Sequence, residues 1–292
     1  MPEERQRRVV IGKIHISRWV TNDFESRLIG LVSGGDEYIQ ETGRGKNKFV
    51  WVFGDPLVKD IDREKIIFAR LGKIKRGLEE TIFDRNKRSF RRVPVDVESP
   101  RALSYSNFII HPNSHTILFE DKLPNISLNQ FKENFSKLYK QHFRDLSDLK
   151  IDLIVETGRV FEILKQFERI IEVQFKVRPS NPEDEPEFRR LDHLLKESGT
   201  KDANLSFKNE EAGLKVEGTI IGEGISQSGA GYGEYEISVE KEGRKEIIKS
   251  KDKIVRKVVK AIDEPAELMR RFWKELKDWR EHRQEKQKKR RK

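Results

Sequence analysis

Cysteine is absent from this 292-residue chain. Its absence excludes a disulfide, a thiolate zinc site and a thiol nucleophile. Long apolar runs are missing as well. No stretch approaches 18 uninterrupted apolar residues, which excludes a transmembrane helix and with it membrane insertion. Met1 to Arg8 is charged, with no signal-type apolar core behind it, so the expectation is a soluble cytoplasmic protein. Apolar residues are scarce overall: they make up 35%, and about 40% with the glycines counted, below the roughly 45–50% of globular domains. Seventeen Phe and four Trp still supply core material, so folding is expected.

Charge is abundant and unevenly spread. Charged residues reach 38% and the formal net charge is +10. Residues 251–292 hold 17 Lys and Arg against 8 Asp and Glu, a surplus of nine. Residues 1–150 are mildly basic and residues 151–250 are acidic. A molecule with a positive side points to a polyanion as partner.

Read along the chain, Arg8 to Ser17 alternates as an opening strand, and Asp23 to Leu31 reads as a short amphipathic helix ended by Gly34-Gly35. Phe49 to Phe53 is a buried strand and Ile66 to Lys75 another. Two hairpins follow. Thr81–Asp84 and Phe90–Val97 flank Arg85-Asn86-Lys87-Arg88, and Asn107–Ile110 and Thr116–Phe119 flank the turn His111-Pro112-Asn113-Ser114-His115. Ser127 caps the next helix in a capping box with Gln130, and Phe131, Phe135 and Leu138 share one face. Beyond it, Ile151–Val155 reads as a strand, Val160–Phe167 as a helix, Ile170–Val177 as a strand, and a helix runs to about Glu197. Leu205–Phe207, Leu214–Ile221, Tyr235–Val239 and Ile247-Ile248 are further strand candidates, with a Gly-rich loop over Gly222–Gly233. Asp263 caps a long final helix with Pro265 in its first turn and the stripe Leu268, Phe272, Leu276 and Trp279. After Arg280 the tail is too polar to pack. The pattern is α+β: a sheet-rich basic region over 1–123, a mixed α/β region over 124–262, and the basic helix with its tail over 263–292.

Three segments carry the candidate polyanion contacts. The hairpin turn places Arg85, Lys87, Arg88, Arg91 and Arg92 within eight residues, and guanidinium forks match phosphate oxygens bidentately. The Gly-containing loop with Arg44, Lys46 and Lys48 lets backbone amides approach phosphate closely. The last helix mixes Arg270, Arg271, Lys274, Lys277 and Arg280 with Phe272, Trp273 and Trp279. Its apolar stripe favours docking on the body or on a second subunit, with cations left in water. No residue stands out as catalytic, and no metal or other cofactor is expected. His111 and His115 frame a turn, where a spacing of four guarantees no shared metal. Gly229 to Gly233 lacks the Gly-Lys-Ser/Thr ending of a P-loop and reads as a mobile hairpin loop, with Tyr232 available to stack on a base.

From Phe108 onward the order of elements resembles that of the RexA-type phage-exclusion proteins. An apolar hairpin (Phe108–Ile110 and Ile117–Phe119) precedes a helix. A helix–strand unit from Phe161 to Val177 is followed by a polar stretch containing Glu211-Ala212-Gly213, and the chain closes on a helix rich in Lys and Arg. The resemblance implies a homodimer that clamps duplex DNA with little sequence preference in defence against phage. It carries no individual site residue, and the basic N-terminal half has no counterpart in it. The expectation is therefore a non-enzymatic, sequence-tolerant DNA-binding protein, with RNA as a possible partner. The alternatives are a nuclease-type toxin of an abortive-infection system, for example one that cleaves RNA with Mg²⁺ or through His111 and His115, or a subunit that binds RNA or another protein.

Overall fold

The computed structural model describes residues 6–16, 23–42, 47–76, 79–84, 89–94, 102–144, 148–181 and 189–290; within these, the side chains of 41–42, 47–48, 75–76, 79–84, 89–94, 102–103, 189, 284 and 286–290 are not described. In chain order the elements are β1 (Gln6–Ile16), α1 (Phe24–Ser33), β2 (Glu37–Thr42), β3 (Asn47–Ile61), β4 (Glu64–Arg76), β5 (Glu79–Asp84), β6 (Ser89–Pro94), β7 (Ala102–His111), β8 (Thr116–Glu120), α2 (Leu128–Phe143), β9 (Leu149–Leu153), α3 (Thr157–Leu164), β10 (Arg169–Val177), α4 (Arg189–Glu197), β11 (Ala203–Lys208), α5 (Ile220–Gln227), β12 (Gly233–Lys241), β13 (Arg244–Lys249), β14 (Arg256–Lys260) and α6 (Pro265–Arg290).

The long apolar strands alternate with period two, and both of their faces are covered. β14, β1, β8, β7, β4, β3 and β2 lie side by side, and β9 pairs with the other end of β1. Every pairing in this sheet is antiparallel. One face packs Val10, Ile14, Trp51, Ile67, Phe108 and Phe119 against Leu28 and Leu31 of α1 and Phe131, Phe135 and Leu138 of α2. The other packs Val9, Ile11, Ile66, Phe68, Ile109 and Leu118 against Leu268, Met269, Phe272, Trp273 and Leu276 of α6. Fully burying a side chain of this size contributes about 1.5–3 kcal/mol, so α6 is a structural member of the sheet's second layer. The sheet also recruits β9 and β14, whose residues fall within the mixed region that the sequence sets at 124–262.

A second antiparallel sheet, ordered β11-β10-β12-β13, packs Val173, Phe175, Ile237 and Val239 against Val160, Leu191, Leu195 and Ile225 of α3, α4 and α5. Among the described residues, β5 and β6 form a separate two-stranded sheet. The fold is α+β, with a curled antiparallel sheet in the N-terminal half and a helix near the C-terminus.

A buried polar layer joins the two sheets. Arg178, just past β10, reaches Asp152 of β9 and donates to Asp202 at 3.0 and 3.2 Å. His15 of β1 lies 3.2 Å from the Asn181 carboxamide and 2.7 Å from the Gly231 carbonyl. Lys13 Nζ donates to the Ser114 carbonyl at 2.8 Å.

Local signals held where they were strong. Ser127 and Gln130 form the capping box at 3.2 and 3.1 Å. Elsewhere tertiary packing overrode them. Leu214–Ile221, read as a strand, holds turns leading into α5, and part of the stretch read as a Gly-rich loop is α5 itself. Gly229 to Tyr232 is a buried π-type turn, with Tyr232 2% exposed and its ring 5.0 Å from His15. Tyr232 therefore does not offer a face to a base. At α6 the capping side chain is Glu264, which accepts from Ala266 N and Glu267 N, whereas Asp263 pairs with Arg7. The α6 backbone runs on through Arg290, beyond Arg280, where the apolar residues stop.

Candidate nucleic-acid interface

The antiparallel register of β2, β3 and β4 decides where the candidate cations meet. Thr42 pairs with Asn47 and Lys48 with Arg76, so the facing ends of β2 and β3 sit beside the end of β4. β5 begins at Glu79, just beyond that end, and β7 returns with Ala102 opposite Ile74. In the chain, the two-stranded ribbon β5–β6 therefore lies between the end of β4 and the start of β7.

Arg44 and Lys46, and Arg85, Lys87 and Arg88, lie outside the described residues, in the β2–β3 and β5–β6 connections respectively. Lys48 is a β3 residue, and Arg91 and Arg92 are β6 residues opposite Ile82 and Thr81, described by backbone alone. Sequence reading missed three further cations at this end, Lys73, Lys75 and Arg76 of β4. Their signal was the short run Lys-Ile-Lys-Arg, which means little until the register sets it beside Lys48. Residues 41–48, 73–76 and 79–94 together carry eleven Lys and Arg against four Asp and Glu.

Lys73 shows how the end is built. Its Nζ lies 4.7 Å from the Phe49 ring centroid and 5.6 Å from that of Trp51, and donates to the Asn125 carbonyl at 3.3 Å. Burial of its stem holds the ammonium below the ordinary lysine range. Such a cation is oriented by the rings under it.

The α6 cations gather elsewhere. Lys277 donates to Asp62 at 2.8 Å in the turn between β3 and β4, the opposite end of the hairpin. Fifteen β3 residues separate that turn from the basic end, roughly 45 Å at about 3.3 Å per residue. Arg280 donates to His111 at 3.1 Å and Arg271 pairs with Glu275 at 3.7 Å. Arg270 and Lys274 are exposed. The expected docking of Phe272, Leu276 and Trp279 is what holds this helix, with Trp279 only partly buried.

His111 and His115 do not converge on one point. His111 is fully buried between Glu64 and Ser114, whereas His115, in a left-handed conformation, packs edge-on against Phe24 at 4.3 Å. Among the described residues no helix is long and apolar enough to cross a membrane.

No curated protein matches the chain. A family model matches residues 51–276, from the middle of β3 to the buried stripe of α6, and the chain belongs to that family, described as Domain of unknown function (DUF4747).

Proposed function

We propose that the chain binds nucleic acid with little sequence preference through the basic end of β3 and β4, an end that itself takes no part in catalysis, duplex DNA being favoured over RNA. The supporting observation is the pairing of Lys48 with Arg76, which brings these two cations together at the sheet end that β5 follows in the chain. A two-stranded ribbon fits the major groove of B-DNA, and the cations on either side of it suit phosphates. Arg270 and Lys274 belong to a second, separate set of contacts roughly a sheet-length away. A homodimer and a role in phage exclusion rest on the RexA-type order of elements alone.

Phosphate neutralisation dominates such binding, so affinity for a 30-bp duplex falls roughly 10³-fold between 50 and 200 mM salt for about six phosphate contacts. Fluorescence anisotropy at the two salt concentrations reads this directly. The combined variant Lys75→Glu, Arg76→Glu, Arg85→Glu, Lys87→Glu and Arg88→Glu loses most of the affinity and most of the salt slope. Affinity that barely changes with salt, or that survives the charge reversal, sinks the reading.

A further inference from the structure

At the far end of the long β3–β4 hairpin, three segments remote in sequence converge on one imidazole. His111 closes β7, and its Nδ1 is 2.6 Å from Ser114 Oγ. Its Nε2 is 3.0 Å from Glu64 Oε2, at the start of β4. Asn113 Nδ2 donates to the same carboxylate oxygen at 3.3 Å, and Arg280 of α6 approaches His111 Nδ1 at 3.1 Å. The Trp273 ring lies 5.2 Å from the imidazole. Glu64 and Ser114 keep partial contact with solvent.

The proton positions follow from the partners. Hydrogen bonds from His111 and Asn113 hold Glu64 below the usual carboxylate range, so it is ionised and only accepts. Nε2 therefore carries the imidazole proton, and Nδ1 is left as the acceptor facing Ser114. Thr116 Oγ1, 2.9 Å from Ser114 Oγ, donates its own proton to the Ser114 carbonyl, so it competes only as an acceptor. The contact to Nδ1 is the shorter one. A hydroxyl on an imidazole that is oriented by a carboxylate is the arrangement that activates a serine. The guanidinium of Arg280 beside it selects an anionic substrate, because a phosphate oxygen is a stronger acceptor for it than a nitrogen already engaged by Ser114.

We propose that Ser114, His111, Glu64 and Arg280 form a hydrolytic centre for phosphodiesters, with Ser114 as nucleophile. Ser114 Oγ bonds to phosphorus while its proton passes to His111 Nδ1. The bond from phosphorus to the leaving oxygen breaks, and that oxygen takes the electron pair and then the proton from Nδ1. Water next attacks the phosphoseryl diester, its proton going to Nδ1, and the bond from phosphorus to Oγ breaks with return of that proton to Ser114. No net redox change occurs, and water is the only co-reactant. Glu64 is a positioning residue that keeps the proton on Nε2, and Arg280 neutralises charge on the phosphoryl oxygens. The centre does not depend on the basic sheet end, so either reading can fail alone.

The test is p-nitrophenol release from bis(p-nitrophenyl) phosphate by the full chain between pH 5 and 8, with mass spectrometry of the quenched reaction. Release at least tenfold above that of Ser114→Ala, together with a phosphoryl adduct on the Ser114 peptide, is the expected result. The rate rises with deprotonation of His111, whose pKa is set below the ordinary histidine value by burial, with Glu64 raising it and Arg280 and Lys13 lowering it. Glu64→Gln slows the reaction and moves the inflection to lower pH, which a merely structural carboxylate would not do. Circular dichroism establishes that each variant is folded. Equal release by folded wild type and Ser114→Ala, or a pH profile unmoved by Glu64→Gln, overturns the proposal and leaves the contacts as a latch holding α6 to the sheet.

Discussion

The Nε2 proton of His15 is donated to the carbonyl of Gly231 at 2.7 Å, across 216 residues of chain. This bond fastens β1 of the large sheet to the turn that feeds β12 of the small one. The ring is 7% exposed and its pKa is lowered to about 4, chiefly by burial, with Arg178 and Lys13 lowering it further and Asp152 opposing.

Stability against pH follows from that depression. Above pH 6.5 the imidazole is neutral in both folded and unfolded chains. Below it the unfolded chain takes up the proton first, so stability declines from about pH 6.5 towards pH 4, by about 3 kcal/mol from this group. Urea denaturation at pH 7 and pH 4.5 measures the loss, and His15→Gln shrinks the difference between the two.

Asp152→Asn removes one of the two carboxylates around Arg178, a pair whose side chains are about nine-tenths buried. Asp202 remains as the other partner, at 3.0 Å. Breaking a buried ion pair from one side costs about 3–5 kcal/mol, and the surviving partner puts the expected loss at the low end. Equilibrium unfolding of the variant at pH 7 checks it; a loss below 1 kcal/mol would mean that water already reaches the layer.

Gly231→Ala and Gly243→Ala separate crowding from backbone strain. Both glycines have positive φ, +88° and +71°. A Cβ at Gly231 would sit 3.0 Å from Lys13 Cγ and 3.1 Å from Ile154 Cγ1, whereas a Cβ at Gly243 meets nothing within 4 Å. The hairpin variant loses about 1–2 kcal/mol from the left-handed conformation alone, and the junction variant loses more. Parallel thermal melts rank the two.

On α6, Phe272→Ala opens a cavity against Phe68 and Ile109 and costs about 3–5 kcal/mol, since Phe272 is fully buried. Lys274→Ala, on the exposed face, stays within about 0.5 kcal/mol. If both variants melted like wild type, the helix would not be part of the core.

Legibility in the sequence tracked how local the deciding interaction was. The capping box of Ser127 and Gln130 spans three residues, and the β7–β8 hairpin closes over Pro112-Asn113, so both could be read directly. β2 and β14 went unread because their partners fix them: Arg256–Lys260 becomes a strand by pairing with Gln6–Val10, some 250 residues earlier. Leu214–Ile221 alternates as a strand does, yet Thr219 N bonds to the Val216 carbonyl, and that turn starts α5. Lys73, Lys75 and Arg76 looked like an ordinary polar strand end until the register set them beside Lys48. The Ser114–His111–Glu64 set was hidden for the same reason, its carboxylate lying 47 residues from the imidazole.

By itself the sequence determined the class of polypeptide: an α+β chain without thiols or long apolar runs, carrying its excess charge on Lys and Arg. Composition and short-range periodicity are sums over neighbours, and neighbours are all that a linear reading contains. Only the tertiary structure decided that Lys48, Lys73, Lys75 and Arg76 share one end of the large sheet while the α6 cations lie a sheet-length away. It alone brought Ser114, His111, Glu64 and Arg280 together. Antiparallel register and the burial of both faces of one sheet choose such neighbours, and these are global packing constraints that no local window records.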